Sequence, residues 1–217
     1  MRCWRAPATM IELRRPYVCV QTGRTLSCGG SQNWFPDRNF RSCGCGVIAC
    51  ADTLLYLQGR EVLEREEYTR YVNLLRRFFP LIPRHGIDGV RLALGMNLCL
   101  RRDKLPFRAG WGVSGGRFWD KLAGMLADDV PGIIAIGPNF PKVWGTERLT
   151  LWRAAGDGYA EAERTKAHFL TVTGLDDERM RVSSWGRELF ILRSDYERYM
   201  RQQSVALFTN LLSIRKI

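Results

Sequence analysis

Apolar positions along this chain change their rhythm near its middle. Residues 45–57 place Val47, Ile48, Ala51, Leu54 and Leu55 at helical spacing, and Gly59 closes the segment. A second helical pattern covers residues 64–79 through Tyr68, Tyr71, Val72, Leu75, Phe78 and Phe79, and stops at Pro80. A third spans residues 87–100, with Val90, Leu92, Leu94, Met96 and Leu98 interrupted by two glycines. Ser114 reads as the N-cap of a fourth that passes through Phe118, Leu122 and Met125 to Ala127. The period then shortens. Residues 132–137 form an apolar run bounded by Pro131 and Pro138, which predicts a buried strand. Residues 138–166 read as irregular. Three closely spaced strands follow, over residues 168–173, 180–184 and 188–192, with turns at 174–177 and at Trp185-Gly186. A helix over 194–202 and a strand over 205–214 end the sequence. Near its start, residues 11–13 and 17–20 predict short strands, and 22–39 a loop.

Helices followed by a strand meander around one core predict an α+β fold. Short strand-to-strand turns predict a mostly antiparallel sheet with the 45–57 helix packed on it. The 217 residues suit one domain, mainly helical to about residue 130 and mainly strand over 131–217.

Composition changes this picture little. Hydrophobic residues at 46% and charged residues at 25% are globular values. No stretch approaches the roughly 20 apolar residues that cross a bilayer, and no apolar segment follows the basic start Met1-Arg2-Cys3-Trp4-Arg5. A cytoplasmic location without a membrane span is the expectation. The formal charge of +11 comes largely from arginines spread along the chain, such as Arg14-Arg15, Arg76-Arg77 and Arg101-Arg102. They form no long basic block and no zinc-finger or RNA-binding signature, so a solvated basic surface is expected before nucleic-acid binding. Seven scattered cysteines (3, 19, 28, 43, 45, 50, 99) lack paired Cys-x-x-Cys spacings. Reduced thiols, with no metal and no cofactor, fit better than a zinc site or a disulfide scaffold.

The candidate chemistry sits in Arg41-Ser42-Cys43-Gly44-Cys45-Gly46-Val47-Ile48-Ala49. A polar, glycine-flanked loop gives way at Cys45 to a helix, whose first amides are unpaired and whose dipole is positive there. A thiol at that place ionises more readily, and the thiolate is the nucleophile. His168 lies far downstream on an apolar strand. A cysteine early and a histidine late, joined only by the fold, is the arrangement of a nucleophilic pair. Cys43 is a minor rival nucleophile, His85 an ordinary loop histidine, and Trp111, Trp119, Trp144 and Trp152 are packing residues before they are cleft walls.

Three patches carry a resemblance. Cys45-Gly46-Val47-Ile48-Ala49 is similar to a Cys-Gly-Pro-Ala-Ala helix start. Residues 167–176, Ala-His-Phe-Leu-Thr-Val-Thr-Gly-Leu-Asp, are similar to a His-Phe-Val-Val-Val-x-Gly-Tyr-Asp strand. Ser183-Ser184-Trp185-Gly186 stands where papain-type enzymes carry Asn-Ser-Trp-Gly. In that order the chain resembles the papain-like cysteine peptidase fold, and within it the bacteriocin-processing (double-glycine) branch. The resemblance implies a hydrolase of a peptide or other amide bond, working through a Cys45–His168 thiolate–imidazolium pair. Its orienting Asn or Asp position falls on Ser183, with Asp176 or Asp177 as substitutes. Its oxyanion-hole Gln position falls on Asn39, six residues before Cys45, with Gln32 as the alternative donor if the loop folds back. The implied partner is a peptide or protein substrate or ligand. A catalytically weakened binding or scaffold protein is the alternative, and a nucleic-acid or anionic-surface binder the third reading.

Overall fold

A computed structural model describes residues 10–113, 117–138 and 147–217. The expected cap Ser114 and the aromatic Trp144 lie outside the described residues. Short strands β1 (Ile11–Glu12), β2 (Cys19–Thr22) and β3 (Thr25–Cys28) lead into helices α1 (Arg38–Cys43) and α2 (Cys45–Leu57). Strand β4 (Val62–Glu64) precedes α3 (Arg65–Leu75) and α4 (Gly89–Arg102). Next come β5 (Phe107–Trp111), α5 (Phe118–Ala127) and β6 (Gly132–Ile136). The remainder is β7 (Leu149–Ala155), β8 (Gly158–Thr165), β9 (His168–Leu175), β10 (Arg179–Ser184), β11 (Arg187–Leu192), α6 (Arg193–Gln202) and β12 (Leu211–Lys216).

The fold is α+β, built on a nine-stranded sheet in the order β5-β12-β6-β9-β10-β11-β7-β8, with β1 also pairing β9. Every pairing in it is antiparallel. A small second sheet, β3-β2-β4, has one antiparallel and one parallel pair. Strands β6 and β9 run through the middle of the large sheet and are apolar along most of their length (Gly-Ile-Ile-Ala-Ile and His-Phe-Leu-Thr-Val-Thr-Gly-Leu), as strands covered on both faces must be.

Helix α2 packs against β9 and against α3 and α4. Residues 45–56 of it are all buried, so its apolar character runs right round the cylinder instead of along one stripe. Its C-terminus is closed by Gly59 at φ +76°, with the Gly59 amide on the Tyr56 carbonyl and the Arg60 amide on the Leu55 carbonyl. This is the Schellman pattern, which satisfies the last carbonyls and needs a left-handed residue. The β10–β11 hairpin turns on Trp185 (φ +51°) and Gly186 (φ +74°), the primed geometry that matches the twist of the flanking strands.

Three expectations need correction. Residues 138–166 are not wholly irregular: β7 and β8 form an edge hairpin around Gly156-Asp157, its apolar alternation masked by Arg, Glu and Ala on exposed faces. The 22–39 segment contains β3 and the first residues of α1. The last strand begins at Leu211, because residues 206–208 form a turn closed by Val205 accepting from Phe208 and Thr209. The described part of the first 130 residues is mainly helical, with five short strands beside its five helices.

Candidate active site

Cys45 opens α2. The short helix α1 ends at Cys43, Gly44 turns the chain, and the Gly44 amide bonds the Phe40 carbonyl at 2.7 Å. Gly44 has no side chain to cap α2, so the first amides face the thiol instead. The amides of Phe169, Gly46 and Cys45 all favour its charged form. Burial is the larger influence: Cys45 is 8% exposed, and desolvation pushes its thiol up to about 11. Burial thus opposes the low thiol pKa expected from the helix end.

His168 begins β9 opposite Ile136 of β6. Its Nε2 is 2.7 Å from Ser184 Oγ, and the Trp185 ring stacks on the imidazole with centroids 4.1 Å apart and planes 14° from parallel. Burial pushes the imidazole down to about 3. Burial thus disfavours the charged form of both groups.

Ser183 does not orient the histidine. It pairs with Thr171 across β9–β10, and Thr171 is three residues from His168. Ser183 lines the same narrow space as Cys45 and His168, but it is Ser184 whose hydroxyl meets the imidazole. The Ser183 hydroxyl donates instead to the Cys28 carbonyl at 2.9 Å. Asp176 is no substitute, since its carboxylate is held by Arg179 at 2.8 Å and by two backbone amides. Asp177 lies exposed beside Arg193.

The amide donors also sort out by geometry. Asn39 lies in α1, and its carbonyl oxygen accepts from the Arg84 amide at 3.3 Å. Gln32 sits in a 3₁₀ turn, Gln32–Trp34, started by Ser31 accepting from the Asn33 amide. Its Nε2 donates to the Arg41 carbonyl at 2.7 Å. That tether folds the loop back, and Gln32 lines one narrow space with Cys45, His168, Ser184 and Trp185.

Asp52, seven residues along α2 from Cys45 and 2% exposed, lines the same space. Tyr68 Oη donates to it at 2.6 Å, and the Gly30 amide reaches both carboxylate oxygens at 3.1 Å. A Cβ on Gly30 would fall 2.0 Å from the Tyr68 hydroxyl, so this close approach requires glycine. Desolvation raises the Asp52 carboxyl to about 7, against the pull of those hydrogen bonds. A lone carboxylate in an apolar helix was the available sequence signal for it. Ser184 and Trp185 were visible only as neighbours of the favoured Ser183.

In front of the pair, a cleft of about 420 Å³ is lined by Cys43, Cys45, His85, Gly137, Lys166 and His168 among others. Cys43 is buried with Sγ 3.6 Å from Ser42 Oγ, and exposed His85 is held through Nδ1 by the Pro83 carbonyl. Among the described residues no group of three or more His, Cys, Asp and Glu could hold a metal ion, and no helix is long and apolar enough to cross a membrane.

No family model matches the chain, and no curated protein matches it. Among solved structures it is similar to a chain from Bacillus anthracis described as a "putative C39-like peptidase", with a TM-score of 0.45 and 13% identity over 80% of this chain and 89% of that one.

Proposed function

We propose that this chain is a papain-like thiol hydrolase of a peptide or other amide bond, with Cys45 as nucleophile and His168 as its base. The observation that supports the reading is that both residues, one from a helix start and one from a distant strand, line one cleft, with Gln32 and Ser184 lining the narrow space beside them. The reading requires the tautomer in which Nε2–H donates to Ser184 Oγ, which leaves the Nδ1 lone pair for the thiol proton. The sulfur attacks the carbonyl carbon as Nδ1 takes that proton. The Gln32 amide and the first amides of α2 are the donors for the oxyanion. His168 then protonates the departing amine, and water hydrolyses the thioester.

Burial raises the thiol to about 11 and lowers the imidazole to about 3, so both charged forms are disfavoured at rest. Turnover in this reading is slow unless substrate or an opening motion stabilises the ion pair. Quenched fluorogenic peptide mixtures provide the test. Turnover abolished by both Cys45→Ala and His168→Ala supports the hydrolase; turnover untouched by either refutes it.

The second reading is a peptide-binding protein on the same fold with decayed chemistry. The uncharged Ser184 hydroxyl, where an amide or carboxylate would hold the imidazolium, favours it. It predicts saturable peptide binding in the cleft with no turnover.

A further inference from the structure

We propose that Cys19 and Cys28 are a disulfide-forming pair, separate from the candidate active site but tied to its wall. They lie directly opposite each other on the antiparallel strands β2 and β3. Neither amide bonds the other residue: the Cys19 amide goes to the Glu61 carbonyl at 2.7 Å and the Cys28 amide to the Gly186 carbonyl at 3.0 Å. This makes them a non-hydrogen-bonded pair, in which Cα atoms approach to about 4.5 Å and side chains stand on the same face. That spacing lies inside the roughly 4.4–6.8 Å range of disulfides, so closure needs little backbone movement. Both side chains are partly accessible, unlike the buried Cys43, Cys45, Cys50 and Cys99.

The oxidant is a small-molecule disulfide. Cys19, the more lightly desolvated of the two, attacks it as thiolate, forming a mixed disulfide and releasing one thiol. The Cys28 thiolate then attacks the Cys19 sulfur and displaces the second thiol. Two protein thiols are oxidised, one reagent disulfide is reduced, and two protons leave with the reagent thiols. Burial pushes Cys28 up to about 12, so the second step is the slow one.

The bond bears on the site through Cys28. Its carbonyl accepts from Ser183, and its amide holds Gly186, so its backbone brackets the turn that carries Ser184 and Trp185. Two residues further on, Gly30 holds Asp52, and Gln32 follows. A Cys19–Cys28 bond fixes the base of this segment.

The experiment incubates the folded full chain in glutathione buffers of rising oxidised fraction, quenches with N-ethylmaleimide and maps peptides without reduction. The proposal expects a Cys19–Cys28 linked peptide, a Tm raised by roughly 5 °C from closing a ten-residue loop, and slower amide exchange over residues 183–186. Cys19→Ser and Cys28→Ser should each leave the other cysteine as a glutathione adduct and abolish both effects. Independent alkylation or glutathione capping of both residues in the native protein, or a different internal pair forming first, overturns it. So does a linked peptide found only after unfolding in urea.

Discussion

Asp52 and His168 give the fold a pH dependence in which two large effects oppose each other. The Asp52 carboxyl is raised from 3.8 to about 7 in the folded state. Between those values the folded chain keeps a proton that the unfolded chain has released. Its stabilisation is therefore full below about pH 4 and lost as pH rises to about 7. The His168 imidazole is lowered from 6.5 to about 3. Between those values the unfolded chain takes up a proton that the folded chain refuses, so stability is full above pH 6.5 and falls on acidification. Each slope is about 1.4 kcal/mol per pH unit, and each group commands roughly 4–5 kcal/mol across its window. From about pH 4.5 to 6 the slopes cancel. Asp37, held down by Arg76, loses its stabilisation only below that window; so does Asp129, where hydrogen bonds from Tyr56 and the Arg14 amide outweigh burial. Asp52→Asn removes one slope while its amide oxygen still accepts from Gly30 and Tyr68. Urea unfolding at pH 4.5, 5.25 and 6 should give a nearly constant free energy for the wild type. The variant should lose about 2 kcal/mol from pH 6 to 4.5. A variant profile parallel to that of the wild type would show that Asp52 does not bury its proton, and the reasoning would fail.

Further perturbations separate the neighbours that sequence alone confused. Ser184→Ala should destabilise by about 1–3 kcal/mol, by leaving a buried imidazole nitrogen unpaired, and should shift the His168 ring resonances; Ser183→Ala should leave those resonances in place. Ser184→Asp sets a carboxylate beside His168, raises its pKa from about 3 and should speed alkylation of Cys45 by iodoacetamide at pH 7; an unchanged rate counts against His168 acting on the thiol. In the wild type that alkylation rate should still be climbing above pH 9, since burial holds the Cys45 thiol near 11; a midpoint near 8.5, the ordinary free-thiol value of about that size, contradicts this. Gly30→Ala should cost more than about 2 kcal/mol in thermal unfolding, because its Cβ meets the Tyr68 hydroxyl at 2.0 Å; a neutral result would place Tyr68 elsewhere.

What was legible in the sequence is what depends on local order. The apolar run after Cys45 and the glycine at its end marked α2, and the spacing of apolar and turn residues marked β6, β9, β10 and β11. The β7–β8 hairpin was not legible because an exposed edge tolerates Arg and Glu at positions where a central strand shows apolar alternation. The hydroxyl that meets His168 belongs to Ser184, one position on from Ser183, because matching a motif fixes sequence order and not side-chain placement. Counting back from Cys45 led to Asn39, whereas Gln32 reaches the site only through a turn and the tether to Arg41. The ionisation of Cys45 was read from its helix end, where burial among the core decides. Those are long-range facts, and no local pattern carries them.

In the proposed reaction Cys45 attacks a carbonyl with help from His168. Its most direct test is acid quenching of the protein after mixing with an activated peptide ester, followed by peptide mass mapping. A thioester is expected on the Cys45 peptide, absent in Cys45→Ala, strongly reduced in His168→Ala and retained in Cys43→Ser. Acylation of Cys43 in place of Cys45, no acylation at all, or equal acylation of Cys45 with and without His168 would contradict it.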